Sequence, residues 1–315
     1  MDPTKMNTTV TEHKELSAMN YENIINKAEV LVEALPFIQK FRNSVMVVKF
    51  GGSAMEDPEV VRRTMCDIVM LEAIGIRPVV VHGGGKAISA ELKRQDIPVK
   101  FVNGLRYTCD RTIKIVDDVL HNSVNKNLVE LGKAAGGNVC GISGKQILKA
   151  KKTLSVDPAT GKGEDVGFVG EVTGVNPTPI LEAIERNLIP IVTPLGSGSD
   201  GTVFNINADT AACKIAAALH ARKLVFMSDV PGILADCNDE STLIGTIRTD
   251  EIDGLVQQGV LSGGMLPKIQ GCVAALDAGI NKVHMIDGRL THSLLLEIFT
   301  TSGVGTQIVR PDSVM

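Results

Sequence analysis

The stretch that most constrains the fold is residues 45–53, V-M-V-V-K-F-G-G-S. Its apolar, largely β-branched run predicts a buried strand that ends in Lys49 and is followed by two glycines. Gly51 and Gly52 allow a backbone turn that a ligand approaches closely. The following Asp57-Pro58 pair predicts a helix start, whose free N–H groups attract anions beside a lysine. Taken alone, the stretch suits an anion site and an ordinary loop equally well.

A second copy of this arrangement favours the anion site. Residues 78–81, P-V-V-V, predict another buried strand, and His82 with three glycines follows directly before a predicted helix over 86–94. Ligands of open α/β sheets collect at the carboxyl ends of the strands. Two glycine-rich strand ends therefore predict a wide cradle for a polyanion or for two anions that meet. The chain has no G-x-x-x-x-G-K-[ST] sequence, so this cradle is not a P-loop.

Composition narrows the class of protein. The 315 residues are 44% hydrophobic and contain no tryptophan, so aliphatic side chains must fill the core, as is usual in α/β folds. The net charge of −4, without a basic block, argues against nucleic acid or anionic membranes as main partners. No apolar run approaches the ~20 residues of a membrane span. Six scattered cysteines without C-x-x-C, and no signal-peptide core, predict a cytoplasmic protein with reduced thiols.

The N-terminal region predicts two segments. Residues 1–19 are polar and are predicted to be a disordered tail. Apolar residues at helical spacing predict an amphipathic helix over 20–42, which Pro36 is expected to kink or break. Such a helix either packs on its own domain as an extra layer or forms an arm that contacts a neighbouring subunit. The spacing alone favours the first interpretation.

Polar residues recur at further predicted loops. Arg106 lies beside a glycine in a predicted hairpin or loop, where a fixed guanidinium suits bidentate binding of a carboxylate. A solvated surface arginine is the commoner alternative. Asn205, Asn207 and Asp209 alternate just before an alanine-rich helix and so share one side. The Asp209 carboxylate there suits holding a lysine, capping the helix, or both.

Two other stretches have patterns that bear on the site. Residues 196–203, G-S-G-S-D-G-T-V, match the glycine patterns of dinucleotide-binding proteins and protein kinases. Both are rejected, because no helix follows directly and no H-R-D or D-F-G sequence accompanies them. A polar turn is the better interpretation. Residues 139–175 predict short strands and turns that form a hairpin lid over the site.

Six stretches then occur in a distinctive order: K-F-G-G-S, V-V-V-H-G-G-G, F-V-N-G-L-R-Y-T, N-I-N-A-D, S-D-V-P-G-I-L and S-G-G-M-L-P-K. Each is weak alone, but the ordered set is specific. From about residue 20 to 309 the chain resembles the amino acid kinase family, in particular its branch that phosphorylates N-acetyl-L-glutamate. The resemblance implies an open α/β fold in which helices sandwich a mainly parallel sheet. It also implies a single domain over 43–315, with a substrate-binding lobe at 43–195 and an ATP-binding lobe at 196–315.

The resemblance also implies a reaction, in which the γ-phosphoryl group of ATP moves to the side-chain carboxylate of N-acetyl-L-glutamate. Mg²⁺ would be carried on the nucleotide phosphates. Lys49 and Lys268 match lysines that stabilise the transition state, Asp209 matches the carboxylate that orients them, and Gly52 matches a donor to the moving phosphoryl group. The implied substrate contacts are Gly84, Gly85, Arg106 and Asn205, and the implied ATP contacts are Asp229, Gly232, Leu234, Leu261 and Ser262.

A regulatory site is implied in the same way. The helix from residue 20 and the stretch 284–306 resemble the arginine-inhibited branch of the family, in which N-terminal helices interlace dimers into a ring-like hexamer. This resemblance replaces the preference for a helix packed on its own domain. The implied arginine contacts are Glu297, Gly303 and Gly305, with Lys223, His284 and Tyr21 as weaker candidates. The alternative for Glu297 is a charge on a helix surface. Docking of a PII signalling protein on the ring is left open.

One departure and three rival functions accompany the resemblance. Gln146 stands after Lys145 where many relatives carry an acidic residue, which affects only the details of the lid. The first rival is a sister kinase acting on aspartate, glutamate, carbamate, uridylate or N-acetyl-aminoadipate. The second is a non-catalytic arginine or nucleotide sensor, which the presence of both lysines and Asp209 disfavours. A dinucleotide oxidoreductase is a distant third, since it rests only on the rejected glycine match.

Overall fold

The computed structural model describes residues 4–157, 160–263 and 265–312, and it divides into two compact units, Met1–Phe41 and Arg42–Met315. The first unit is helix α1, Thr4–Phe41. The predicted disordered tail is therefore wrong from Thr4 onward, because residues 4–19 lack Gly and Pro and include many strong helix formers. Residues 1–3 of that predicted tail lie outside the described residues. The helix continues through Pro36, so the predicted break does not occur.

The second unit begins with the strand and helix pattern that the sequence predicts. Asp57 caps its first helix, since the carboxylate accepts hydrogen bonds from the N–H groups of Glu59 and Val60. A 3₁₀ turn, Gly52–Met55, joins the glycine pair to that cap. The elements are β1 (Val45–Phe50), α2 (Pro58–Ala73), β2 (Arg77–His82) and α3 (Gly85–Arg94).

The middle of the chain forms a hairpin, a long helical stretch and several strands. A π-helical segment, Val119–Asn125, joins two of its helices without interruption. The elements are β3 (Phe101–Val102), β4 (Leu105–Arg106), α4 (Asp110–Asp118), α5 (Lys126–Ala134), β5 (Val139–Ile142), β6 (Leu148–Val156), β7 (Gly163–Val175), α6 (Thr178–Glu185), β8 (Ile189–Val192), β9 (Leu195–Ser197) and β10 (Val203–Asn205).

The predicted hairpin lid over 139–175 is only partly correct. β6 and β7 form a long antiparallel hairpin, which closes into a small barrel with β9 and β10. β5 instead pairs in parallel with β8 in the main sheet, because its ends, Val139 and Ile142, are buried. β9 and β10 pair antiparallel across the 198–202 turn, so the glycine-rich stretch there leads into a strand and not a helix.

The C-terminal part returns to alternating strands and helices. Its elements are α7 (Ala208–Ala218), β11 (Lys223–Ser228), β12 (Thr246–Arg248), α8 (Ile252–Gln257), α9 (Met265–Asp277), β13 (Lys282–Asp287), α10 (Ser293–Phe299) and β14 (Thr306–Val309). Buried Cys213 on α7 and Cys272 on α9 lie between these two helices, where the Cys213 thiol donates to the Gly271 carbonyl at 3.3 Å. All six cysteines are free.

The main sheet has eight strands in the order β12-β14-β13-β11-β1-β2-β8-β5. The strands from β13 to β5 are parallel, while β14 runs antiparallel to β13 and β12 runs parallel to β14. This mainly parallel sheet flanked by helices is the predicted fold. Because β1 lies between β11 and β2, the fold places Lys49 near the centre of the carboxyl edge. Within the described residues, no helix has both the length and the apolar character needed to cross a bilayer.

Candidate active site

The site is built around an ion pair between Lys49 and Asp209. Lys49 Nζ lies 2.8 Å from Asp209 Oδ1, and the lysine side chain is 11% exposed. Oδ1 is buried and takes no regular hydrogen bond, so the contact is ionic and leaves acceptor capacity on the oxygen. The lysine crosses the glycine turn closely, since a Cβ on Gly51 would lie 2.5 Å from Nζ. The missing side chain at Gly51 therefore leaves room for the ammonium group.

Asn207 leaves the Asp209 carboxylate available for this ion pair. The Asn207 side-chain oxygen accepts hydrogen bonds from the backbone N–H groups of Asp209 at 2.9 Å and Thr210 at 3.0 Å. Asn207 is therefore the N-cap of α7, and the prediction that Asp209 caps this helix is wrong. Asn and Asp both suit an N-cap, so the residue at which the helix begins decides which of the two side chains caps it.

Lys268 lies in the first turn of α9, which packs against α7. The pKa of Cys272, one turn further along α9, reports the charges around Lys268. Burial raises the pKa of the Cys272 thiol well above its usual range, the Asp209 charge raises it further, and the Lys268 charge opposes both. Lys268 and Asp209 thus act on the same buried atom. Among the described residues, no ion pair joins these two side chains directly.

Two glycine turns meet beside the ion pair. Gly83 N–H donates to the Phe50 carbonyl at 2.7 Å, and a Cβ on Gly83 would lie 3.4 Å from Gly51 Cα. Gly52 has a φ of +72° and faces Asp229, whose backbone nitrogen would be 3.8 Å from a Cβ there. This positive φ is one that glycine adopts without penalty. The backbones of the two strand ends therefore contact each other directly.

Arg106 is a buried side chain, and one nitrogen of its guanidinium makes no hydrogen bond within the described residues. It is 7% exposed, and its guanidinium lies 4.7 Å from the centre of the Phe101 ring. Nη2 donates to the Gly85 carbonyl and to Ser89 Oγ, each at 2.7 Å. Nη1 is buried and has no hydrogen-bond partner among the described residues. Burial lowers the pKa of the guanidinium. The alternative of a solvated surface arginine is wrong.

A cavity of about 600 Å³ opens between these groups. Asn205, whose side-chain amide lies 3.5 Å from Thr108 Oγ1, also lines it. Asp209 and Lys268 lie outside the lining, and so do the five residues expected to contact ATP. The predicted residues that line the cavity are Lys49, Gly52, Gly84, Gly85, Arg106 and Asn205.

The residues expected to contact ATP follow β11 and precede α9. Asp229 is exposed beside Gly52, Ser262 is exposed, and Leu261 is buried. Gly232 packs tightly, since a Cβ there would lie 2.5 Å from Thr306 Oγ1. The same hydroxyl accepts from Ile233 N–H at 2.8 Å, and Leu234 pairs with Leu243. β14 thus holds this loop at the carboxyl end of β11.

The residues expected to contact arginine form a second buried cluster. His284 Nδ1 lies 2.5 Å from Glu297 Oε1, and Lys223 Nζ lies 2.9 Å from His284 Nε2. Glu297 Oε2 accepts from the N–H groups of Val304 at 2.7 Å and Gly305 at 3.1 Å. Glu297 is 7% exposed, so the alternative of a helix-surface charge is wrong.

Burial and hydrogen bonding shift the titration of this second cluster. Burial lowers the pKa of His284. Burial alone would raise the pKa of Glu297, but hydrogen bonds from His284 and Val304 lower it below its usual value. Gly303 leaves space for the Glu297 carboxylate, since a Cβ there would lie 2.6 Å from Oε2. Tyr21 belongs to the first unit, where it is exposed.

Several neighbours of the site are not apparent from the sequence. Ser89 and Phe101 fix Arg106, and His82 and Asn125 lie beneath the second glycine turn. His82 stands in the V-V-V-H-G-G-G stretch, so its position marks it as a candidate. The other three are set by tertiary contacts, and Asn125 lies 43 residues from His82 along the chain.

Comparison with known proteins places the chain in one family. Residues 44–287 match the amino acid kinase family, and the chain belongs to that family. A protein of Thermoanaerobacter sp. (strain X514), named acetylglutamate kinase, is 47% identical over 91% of this chain and 95% of its own length. A protein of the same name from Heliobacterium modesticaldum is 44% identical over 91% of this chain and 99% of its own length.

Solved structures share the fold. The smu.665 protein of Streptococcus mutans UA159 is 30% identical with a TM-score of 0.66, over 84% of this chain and 98% of that one. N-acetylglutamate synthase from Neisseria gonorrhoeae, complexed with coenzyme A and N-acetyl-glutamate, has a TM-score of 0.78 at 24% identity, over 90% of this chain and 63% of that one. Carbamate kinase from Giardia lamblia, bound to AMP-PNP, has a TM-score of 0.60 at 14% identity, over 85% of this chain and 99% of that one.

Proposed function

We propose that this chain transfers the γ-phosphoryl group of ATP to the side-chain carboxylate of N-acetyl-L-glutamate, giving N-acetyl-L-glutamyl 5-phosphate and ADP. One observation carries the proposal: Lys49, the two glycine turns and Arg106 line one cavity of about 600 Å³. Asp209 holds Lys49 from outside this lining, and Arg106 Nη1 has no hydrogen-bond partner among the described residues. Relatives named acetylglutamate kinase, at 44–47% identity, support this acceptor. The reaction would serve arginine biosynthesis in the cytoplasm.

The substrate is oriented by the polar groups that line the cavity. Arg106 Nη1 donates to the α-carboxylate of N-acetylglutamate, which supplies the partner that this buried nitrogen lacks. The Asn205 amide, at the end of β10, contacts the same substrate. The substrate's side-chain carboxylate then points toward Lys49 and the glycine turns. It is already ionised at neutral pH, so the transfer needs no general base.

Charge cancellation is the main catalytic task, because donor and acceptor are both anionic. Lys49 and Lys268 neutralise charge that develops on the moving phosphoryl group, and Asp209 orients Lys49 through the 2.8 Å ion pair. The N–H groups of Gly52, Gly84 and the adjacent turn add preorganised donors. Holding the two reactants in line converts a bimolecular encounter into an effectively unimolecular step.

ATP would lie along the carboxyl edge of β11, beside the cavity. Asp229, Gly232, Leu234, Leu261 and Ser262 are the proposed contacts. Mg²⁺ would enter on the nucleotide phosphates, and the exposed Asp229 carboxylate beside Gly52 offers the hard oxygen donor that this ion prefers. When bound, the ion neutralises part of the phosphate charge.

A coupled assay of ADP release tests the proposal. The purified chain is given MgATP with N-acetylglutamate and, in parallel, with aspartate, glutamate, carbamate, uridylate and N-acetyl-aminoadipate. We expect the largest kcat/KM with N-acetylglutamate. A larger value with another acceptor would assign the chain to a sister activity, and no turnover with any acceptor would favour the non-catalytic sensor.

We further propose that L-arginine inhibits the enzyme by binding at Glu297, Gly303 and Gly305, with Lys223, His284 and Tyr21 as weaker contacts. The buried Glu297 carboxylate suits a guanidinium, and backbone N–H groups near Gly305 suit a carboxylate. A structure of the Neisseria gonorrhoeae synthase contains L-arginine, which supports a site of this kind in the fold. Because Glu297 accepts from Gly305 N–H here, arginine must open that contact.

Calorimetry tests the effector site directly. We expect L-arginine to bind the wild type, with D-arginine as the stereochemical control, and Glu297→Gln to weaken binding by about tenfold or more, since a charged hydrogen bond contributes roughly 1.5–3 kcal/mol. Unchanged arginine affinity in Glu297→Gln would place the effector elsewhere.

Assembly into a hexamer, as a trimer of dimers, is the last part of the proposal. Ile24, Leu31 and Leu35 recur at helical spacing on α1 and are 54%, 65% and 48% exposed in the single chain. A helix with such an apolar stripe needs a partner in water. Light scattering should show that deletion of residues 1–41 reduces the hexamer to smaller species, and persistent hexamers would remove α1 from the interface. A PII signalling protein is a further candidate partner of that ring.

A further inference from the structure

A buried histidine lies directly beneath the second glycine turn. His82, at the end of β2, is 0% exposed, and its Nδ1 lies 2.6 Å from the Gly83 carbonyl oxygen. A carbonyl oxygen only accepts hydrogen bonds, so Nδ1 must carry a proton. The imidazole is thereby bonded to the backbone of the residue that follows it.

Asn125 fixes the other ring nitrogen. Its Nδ2 lies 2.9 Å from the Ile191 carbonyl oxygen and 3.2 Å from His82 Nε2. The contact with Ile191 assigns the amide nitrogen to this side, because two oxygens would repel each other there. Nδ2 therefore donates to both groups, and His82 Nε2 must accept. Only the neutral imidazole with a proton on Nδ1 satisfies both contacts.

The surroundings hold this arrangement in place. Burial lowers the pKa of His82 to about 4, which keeps the ring neutral at physiological pH. Asn125 is the last residue of the π-helical segment, a conformation that is frequent at functional sites. A Cβ on Gly141 would lie 2.2 Å from Asn125 Oδ1, so the glycine leaves room for the amide.

The hydrogen bond to Gly83 determines where the next N–H group points. In a planar trans peptide, the C=O of residue 83 and the N–H of residue 84 point in opposite directions. Fixing the Gly83 carbonyl against His82 therefore aims Gly84 N–H away from His82. Gly84 lines the cavity whereas His82 does not. As the N-cap of α3, Gly84 has an N–H group without an intrahelical partner.

We propose that His82, held in its Nδ1–H tautomer by Asn125, is a positioning residue that aims the Gly84 N–H at the phosphoryl group in transfer. This inference rests on the function proposed above. The histidine touches neither substrate, and it acts only by fixing the orientation of one peptide plane. Its effect should therefore appear in the transition state more than in substrate binding.

Two conservative variants separate this role from simple packing. In His82→Asn the amide nitrogen occupies the position of Nδ1 and still donates to Gly83, whereas the contact with Asn125 is lost. In His82→Gln the longer amide reaches the position of Nε2 and still meets Asn125, whereas the donor to Gly83 is lost. Each variant keeps one of the two hydrogen bonds, so a purely structural role predicts similar losses in both.

The aiming role predicts an asymmetric result. We expect kcat of His82→Gln to fall by about 30-fold or more, since one preorganised donor is worth on the order of 100-fold, with KM values for both substrates little changed. We expect His82→Asn to keep kcat within about threefold. Equal losses in the two variants, or a loss confined to KM, would overturn the inference. Thermal unfolding of both variants shows whether a loss comes from failure to fold.

A second measurement does not depend on activity. Nitrogen NMR of the ¹⁵N-histidine-labelled wild type without substrates reports the protonation of each ring nitrogen. We expect the His82 signal to show a protonated Nδ1 and a bare Nε2 between pH 5.5 and 8. The contacts of His284 with Glu297 and Lys223 favour the same tautomer, so the His82 signal is assigned as the one that disappears in His82→Asn while that of His284 remains. A protonated Nε2 on that ring would refute the tautomer even if the enzyme is active. If the wild type has no turnover on any acceptor while this tautomer is seen, the proposed function fails and the histidine geometry stands.

Discussion

Two clusters of lysine and carboxylate occupy different ends of the same parallel strands. Lys49 lies near the carboxyl end of β1, whereas Lys223 begins β11 and lies in register with Met46, three residues earlier on β1. At the carboxyl end, Asp209 Oδ1 is ion-paired with Lys49, whereas Arg106 Nη1 is buried without a hydrogen-bond partner among the described residues. In the second cluster, both oxygens of Glu297 are hydrogen-bonded.

The first cluster therefore has an unsatisfied hydrogen-bonding group that a ligand can satisfy, whereas the hydrogen-bonding groups of Glu297 are already satisfied within the protein. A buried polar group without a partner costs roughly 1–3 kcal/mol, so the folded protein is more stable when a ligand supplies the bond. A satisfied network stabilises the chain that contains it and opens only if a ligand offers better contacts. Substitutions near Lys49 should therefore change activity more than stability, whereas substitutions at Glu297 should change stability strongly.

The largest effect is expected for Lys49→Met. Removing the ammonium group leaves the developing negative charge without its nearest counter-charge, so kcat should fall about 10³-fold in the ADP-release assay. The free energy of unfolding, measured with urea, should fall by less than the roughly 4 kcal/mol that this loss of kcat represents, because the Asp209 side chain left without its partner is 26% exposed and keeps part of its hydration. Lys49→Arg is the matched control, because it keeps the charge with different geometry and should be less impaired. A Lys49→Met enzyme with normal kcat would remove this lysine from the mechanism.

The reverse pattern is expected for Glu297→Gln. Breaking a buried pair leaves His284 and the Val304 N–H group with a weaker acceptor, so the free energy of unfolding should fall by about 3 kcal/mol in urea titrations. Glu59→Gln is the control, since Glu59 pairs with Arg62 on an exposed surface and should change stability by less than about 1 kcal/mol. Equal changes in the two variants would show that burial of Glu297 adds nothing.

Arg106→Lys should have an intermediate effect at the carboxyl edge. Lysine keeps the charge but loses the planar fork, so the contact of Nη1 with a substrate carboxylate is weakened. We expect KM for N-acetylglutamate to rise by about 30-fold, close to 2 kcal/mol, with kcat within about threefold. Arg111→Lys, at an exposed arginine on α4, should leave KM unchanged. An unchanged KM in Arg106→Lys would exclude this arginine from substrate binding.

Local patterns predicted the core of the fold, but tertiary contacts decided the details of the site. The apolar runs of β1 and β2 and the Asp57 cap are visible in the sequence, because each depends on neighbours along the chain. Asn207 and Asp209 are both suitable N-cap residues, and the sequence does not show that α7 begins at Ala208 and so takes Asn207 as its cap. β12, with three residues, is too short to show a period of its own.

The burial of Arg106 shows the same limit at longer range. Ser89 and Phe101 hold the guanidinium, yet the serine is 17 residues away and lies on another element. The local sequence therefore favours a surface arginine, and only the family resemblance predicts a substrate contact at this position. Glu297 is similar, because its partner His284 lies 13 residues away on β13, and Lys223, which contacts His284, lies on β11. Polar residues show no periodicity that reveals such burial in advance.

The smallest expected effect is a pH dependence of stability, to which a buried histidine at each end of the strands contributes. The pKa of His82 is about 4 in the folded protein, against an ordinary value of 6.5. The unfolded chain therefore binds more protons between these values, and the free energy of unfolding should fall as the pH drops through this window, by about 1 kcal/mol at pH 5.5. Burial also lowers the pKa of His284, which adds a loss in the same direction.

His82→Asn separates these two contributions, because it removes one titrating group and leaves the Glu297 cluster intact. Urea unfolding of both proteins at pH 7.5 and 5.5 gives the loss of stability for each. The variant should lose about 1 kcal/mol less than the wild type, and its remaining loss should contain the share of His284. If both proteins lose the same amount, His82 titrates alike in the folded and unfolded states. The buried neutral imidazole that is proposed to aim Gly84 would then lack its thermodynamic signature.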